Sequence, residues 1–189
     1  MRYFYHFWLQ KTIDSNLLYD FFYDNFQNSD FRFRMTTKRN GCLDTERNIA
    51  VELEGVIPIL SNDLGTGIVF VASPIDNDVA HRAIMKARSL GNGLYFLAEV
   101  LILMLAERDY ALVPVLRSQL DEVPHELVKT ADMFLKCGLN ASDAADKLYI
   151  HRNTFNYRLS KFISLTGLDI RDYWTSQYYM ILSRISSSK

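Results

Sequence analysis

The stretch from Asn140 to Ile170, NASDAADKLYIHRNTFNYRLSKFISLTGLDI, leaves the chain few ways to fold. Asn140 can cap a helix, and Asp143 three residues on favours that helix's positive end. On this helix Ala144, Ala145 and Leu148 share one face, while Asp143, Asp146 and Lys147 point away. Two adjacent alanines on a buried face let another helix approach closely. After the break "LYI" a second helix starts near His151 or Arg152. At about 100° per residue, Phe155, Leu159, Phe162 and Ile163 cluster on one side. Asn153, Tyr157, Ser160, Lys161 and Ser164 lie opposite, Thr154 and Arg158 flank them, and Asn156 sits near the apolar edge. Two helices joined by three residues, with small residues on the first, have helix-turn-helix form.

The polar face of the second helix carries amides, hydroxyls and cations. No carboxylate occurs between Asp146 and Asp169. A solvated helix usually mixes both signs, whereas a helix lying against phosphates tolerates no acids, so the pattern favours a polyanion. The charge is also unevenly divided. Residues 1–126 hold 12 Lys/Arg and 17 Asp/Glu, net −5, and residues 127–189 hold 9 and 5, net +4. An acidic front and a basic back indicate two modules with different partners. The segment "DEVPHE" around Pro124 is the expected boundary, giving modules 1–123 and 124–189.

In a helix-turn-helix the second helix enters the major groove and its first residues meet base edges. Here those are Arg152, Asn153 and Thr154, with Tyr157 one turn on. Arg152 suits guanine and Asn153 suits adenine. His151 at the helix start fits a cap or a phosphate contact. Lys161 and Arg158 fit phosphates, though Arg158 could instead pair with Asp143 or Asp146. Double-stranded DNA is the expected partner, read by a homodimer because one small motif binds weakly. A protein-interaction module that uses the same fold without DNA is the alternative.

These residues resemble a family. The Ala144–Ala145 pair, Leu148, "HRNT" (His151 to Thr154), "YRL" (Tyr157 to Leu159) and "LTGLDI" are similar to the C-terminal helix-turn-helix domain of PucR/CdaR-type bacterial transcription regulators. A more distant similarity is to Fis-like proteins. The resemblance covers about Leu127 to Ile185 and implies a cytoplasmic regulator of transcription. Tyr149 stands at a turn position where many such motifs place Gly. A positive φ would cost a tyrosine energy, so a different turn geometry is expected. Members usually carry a longer sensory region than the front here.

That front reads as α+β. Residues 1–28 have a helical pattern in Leu17, Leu18, Phe21, Phe22 and Phe26, closed by "NSD". "FRFRMTT" alternates like a half-exposed strand, and "KRNG" is a turn. "IAVELEGVIPIL" and "GTGIVFVAS" are β-rich runs with "SNDLGTG" as a hairpin connection. A helix follows, capped by Asp76 or Asn77 and ended by "GNG". Two more helices are expected over about Leu94–Arg108 and Tyr110–Leu120. The expected architecture is a small antiparallel sheet with packing helices. The block "VIPILSNDLGTGIVFVAS" plus helix resembles the closing half of GAF- or PAS-like domains. Its apolar helices point to self-association or to a small-molecule effector.

Several functions have no support. Cys42 and Cys137 lie far apart and form no zinc signature. Four scattered histidines and the absence of a nucleophile–base spacing argue against an enzyme, a metal or a cofactor. "MRYFYHFWLQK" lacks the features of a signal peptide. "LYFLAEVLILMLA" is too short to span a bilayer and contains Glu99. No membrane association is expected.

Overall fold

The structure is a computed structural model that describes residues 2–26 and 30–187. The chain divides into two compact units, Met1–Asp109 and Tyr110–Lys189.

The first unit runs β1 (Tyr3–Leu9), α1 (Ser15–Phe26), β2 (Arg32–Met35), β3 (Asn40–Thr45), α2 (Ala50–Asp63), β4 (Ile68–Ser73), α3 (Asp78–Ala87), β5 (Gly93–Phe96) and α4 (Leu97–Ala106). Its sheet has the order β2-β3-β1-β4-β5. The first three pairings are antiparallel, and β5 joins β4 in parallel. A parallel neighbour needs a crossover, and α3 supplies it.

β1 is central in the sheet, and helices cover both of its faces. Tyr5, Phe7 and Leu9 enter a core with Leu18, Phe22 and Phe26 of α1 and Leu53, Ile57 and Leu60 of α2. The Phe7 ring centroid lies 5.8 Å from those of Phe33 and Phe70 and 6.5 Å from that of Phe22. Gly41 faces Phe7 across the β1–β3 ladder. A Cβ there would sit 2.4 Å from the Phe7 ring and 2.5 Å from the Arg34 carbonyl, so only glycine allows this approach. The buried Tyr5 hydroxyl donates to Asn48 Oδ1 (3.0 Å) and accepts the Ile49 N–H (2.8 Å), which ties β1 to the start of α2. On the other face His6 is paired with Val71 and Trp8 with Val69. There α3 packs on β1 and β4 through buried Val79, Ala80, Ala83, Ile84 and Ala87. Asn77 caps α3 by accepting the Ala80 N–H at 3.1 Å.

The α+β class is therefore observed, with corrections to the front module. The sheet is mixed, not antiparallel. Residues 3–9 form the central strand rather than helix, because a strand buried on both faces shows a continuous apolar run without alternation. "IAVELEGVIPIL" is helix, with Ala50, Leu53, Ile57 and Leu60 buried at helical spacing and Val51 and Ile59 exposed. Its β-branched content had suggested strand, but packing overrides propensity. The expected hairpin at "SNDLGTG" is accordingly a helix-to-strand connection, and the GAF- or PAS-like ending goes with it. β3 and β5 had no counterpart in the expected order. The "NSD" stop falls partly outside the described residues.

The second unit is helical: α5 (Val113–Ser118), α6 (His125–Lys136), α7 (Ala141–Lys147), α8 (Arg152–Thr166) and α9 (Tyr173–Ser187). α5 packs on α9, which places the division before Tyr110 rather than at the expected Pro124. Phe134, Phe155, Phe162 and Tyr179 line the core, with Phe134–Phe155 centroids 5.9 Å apart and Phe162–Tyr179 centroids 5.2 Å apart. The buried tyrosines of α9 keep partners for their hydroxyls. Tyr178 donates to Gln119 Oε1 (2.6 Å), and Tyr179 donates to Asp132 Oδ1 (2.9 Å), which also receives Ser183 Oγ–H (2.8 Å). Burial and the Asp132 charge push the Tyr179 phenol upward. Among the described residues no helix is long and apolar enough to cross a membrane.

Candidate nucleic-acid interface

Each part of the α7–turn–α8 unit follows from local chemistry. Asn140 Oδ1 accepts the N–H groups of Ser142 (3.0 Å) and Asp143 (3.2 Å), so α7 starts where the cap directs. Ala144 and Ala145 are buried, and α7 packs closely on both α6 and α8. His151 caps α8: its Nδ1 accepts the Asn153 N–H at 3.1 Å. An Nδ1 that accepts carries no proton, so the neutral ring bears its N–H on the exposed Nε2 side. At the far end Gly167 takes φ 72°, and its N–H returns to the Ile163 carbonyl at 2.8 Å. This is the left-handed helix stop for which glycine carries no Cβ penalty.

The turn is tighter than its sequence suggested. Tyr149 adopts φ 56°, so the left-handed geometry is kept although the residue is not glycine. The cost is about 1–2 kcal/mol. The Tyr149 side chain is 95% exposed, so burial of the ring offsets none of this cost.

α8 divides as its pattern implied. Phe155, Leu159 and Phe162 are buried. His151, Arg152, Asn153, Thr154, Asn156, Tyr157, Ser160, Lys161 and Ser164 are exposed. Lys161 Nζ lies 5.9 Å from the Tyr157 ring centroid, which places these two side chains on one outward surface a turn apart. Among the described residues, no carboxylate lies within ion-pair distance of Arg152 or Lys161. Of the residues expected to face a partner, His151, Arg152, Asn153, Thr154, Tyr157 and Lys161 thus share accessible surface on one helix and its cap.

Arg158 behaves differently. Its guanidinium is partly buried and pairs with Glu126 Oε2 of α6 at 2.9 Å. The partner is neither Asp143 nor Asp146, and the contact braces α8 against α6. Glu126 stands thirty-two residues before Arg158, beyond any local spacing rule, so the sequence held no signal for the pair.

One cluster in the first unit was also missed. His6 of β1, Asp76 in the segment before α3 and His81 of α3 converge on the sheet face that α3 covers. They are scattered in sequence and meet only because β4 is the neighbour of β1.

Two short helices, a tight turn and an exposed second helix define a helix-turn-helix domain. Residues 127–181 match the family model of the PucR C-terminal helix-turn-helix domain. It is 36% identical over 68 residues to the proline-responsive transcriptional activator PutR of Bacillus subtilis, a match covering 35% of this chain and 16% of that protein. It is 39% identical over 64 residues to the uncharacterized protein YxkF of the same organism, covering 33% of this chain and 22% of that one. The matched parts span about a sixth to a fifth of the relatives' own lengths. The crystal structure of a regulator of polyketide synthase expression from Bifidobacterium adolescentis superposes with a TM-score of 0.47 and 19% identity, over 98% of this chain and 80% of that one.

Proposed function

We propose that the chain is a sequence-specific, effector-responsive DNA-binding regulator of transcription that acts in the cytoplasm as a homodimer. The observation that carries this reading is the exposed face of α8, which holds cations, amides and hydroxyls, no carboxylate, and no role in the core. Arg152, Asn153, Thr154 and Tyr157 read base edges in the major groove. Lys161 and the Nε2–H of His151 hold phosphates and set the register. Arg158 contributes through Glu126, by fixing the angle of α8, rather than as a free phosphate ligand. The matched relative that is named as a transcriptional activator supports the same direction. The first unit serves dimerisation or effector binding and contributes no catalysis.

Duplex binding measured against salt tests the proposal. Each neutralised phosphate contributes a slope of about −0.9 in log K against log salt. Binding that is unchanged between low and physiological salt removes the DNA reading and favours a helix-turn-helix that docks on protein. Two substitutions separate reading from positioning. Asn153→Ala loses roughly 1–3 kcal/mol of discrimination at particular base pairs. Lys161→Ala weakens all sequences alike and makes the salt slope shallower by about one contact. The reverse pattern in competition binding shows that α8 is oriented otherwise.

A further inference from the structure

We infer that the first unit holds a site for a divalent transition-metal ion, with His6, Asp76 and His81 as its protein ligands. One ligand atom from each residue lies within 4.8 Å of the other two. His81 Nε2 is 2.7 Å from Asp76 Oδ1, and His6 Nε2 is 3.7 Å from the same oxygen. Three ligands at about 2.0–2.2 Å from a tetrahedral zinc ion stand roughly 3.3 Å apart. The observed spacing brackets that value. His81, whose side chain is 42% exposed, is the ligand able to move: its nitrogen would open from 2.7 Å on Asp76 and close on the wider separations, of up to 4.8 Å, toward that spacing.

The second observation is on His6. The residue is 96% buried by its 4% exposure, yet its Nε2 makes no hydrogen bond. A buried polar atom left without a partner costs stability and calls for an explanation. This nitrogen is aimed at Asp76 and His81, so an ion bound between the three would satisfy it.

The surroundings are arranged as a ligand set requires. Arg34 donates to Asp76 Oδ2 at 2.8 Å, leaving Oδ1 to face the two imidazoles. Outer contacts of this kind orient ligating carboxylates. His6 and His81 also line a cavity of about 80 Å³ with Thr36, Asn40, Gly41 and Met85, and Asn40 Oδ1 is likewise buried without a hydrogen bond. The cavity has room for a water as fourth ligand. Two imidazoles and one carboxylate suit zinc, nickel or copper rather than calcium or magnesium. Cys42 stands beside His6 across the ladder. It is not among the residues whose ligand atoms converge. A bound ion would pin α3 to the sheet. Nothing in this site depends on whether α8 binds DNA.

The test uses the full chain stripped of metal by a chelator. Zinc is titrated in competition with a chromophoric chelator, and the melting temperature is followed with and without zinc. One equivalent is expected to bind and to raise the melting temperature. His81→Ala and Asp76→Asn should each weaken binding by at least about tenfold while the metal-free melting temperature stays near that of the parent. His125→Ala, His151→Ala and Cys137→Ser, which remove the other two imidazoles and the half-buried thiol, should leave affinity unchanged. Cobalt should give the visible absorption of a four-coordinate ion in the parent and not in His81→Ala. The inference is overturned if the parent takes up no stoichiometric zinc, or if His81→Ala and Asp76→Asn bind it as tightly as the parent.

Discussion

The cations of α8 stand differently from four of those in the first unit. In the first, Arg2 pairs with Asp44 and Glu46, Arg34 with Asp76, Arg47 with Glu52 and Lys86 with Glu107. On α8 of the second, Arg152 and Lys161 stand exposed with no carboxylate beside them among the described residues, and only Arg158 is paired. A net charge of −3 over residues 1–109 or +2 over residues 110–189 would not reveal this, since both values are modest. What distinguishes the face of α8 from those pairs is whether the positive charge already has an acid beside it. A cation with a partner close by adds little to the field that a polyanion meets, and an exposed one adds its full share.

The largest expected effect comes from removing the support of the displayed face. Phe155→Ala opens a cavity where Phe134 and Phe155 meet and should cost about 3–5 kcal/mol in the second unit. Thermal melts by circular dichroism, together with duplex binding, would show both stability and affinity falling. Retained affinity would mean that the surface works without a fixed α8, and the contrast between units would lose its basis.

The turn gives a smaller effect of opposite sign. Tyr149→Gly relieves a positive φ and should stabilise the domain by about 1 kcal/mol. Denaturant unfolding would measure it. Unchanged DNA affinity in the same variant would show the tyrosine to be outside the interface, whereas weaker binding would explain why a strained residue stands there.

Glu126→Gln tests the one paired cation of α8. Its stability cost should stay below about 1 kcal/mol, because the pair is partly solvated. Freed from Glu126, Arg158 should join the exposed set and steepen the salt slope of DNA binding by about one contact. A shallower slope would show that the brace itself is needed for the binding geometry. The smallest effect is expected in the first unit. Arg47→Ala breaks an exposed pair with Glu52 and should change stability by no more than about 0.5 kcal/mol, with DNA binding unmoved. A loss of DNA affinity there would mean that the acidic unit takes part after all.

The sequence by itself determined the second domain's central motif. The Asn140 cap, the Ala144–Ala145 face, the Phe155–Leu159–Phe162 stripe and the Gly167 stop are local signals at fixed spacing, and helices are built from contacts a few residues apart. The same holds for β2, β4 and the Asn77 cap of α3. Tertiary structure decided the rest. Whether "YFYHFWL" is helix or strand depends on β3 and β4, which pair with both of its edges, and on the helices that cover its faces. Whether "IAVELEGVIPIL" is strand or helix depends on a sheet face that accepts Leu53, Ile57 and Leu60 together. The Arg158–Glu126 brace joins residues 32 positions apart, and His6 meets Asp76 and His81 from 70 and 75 positions away. No periodicity encodes such pairs, because they exist only once the layers have packed.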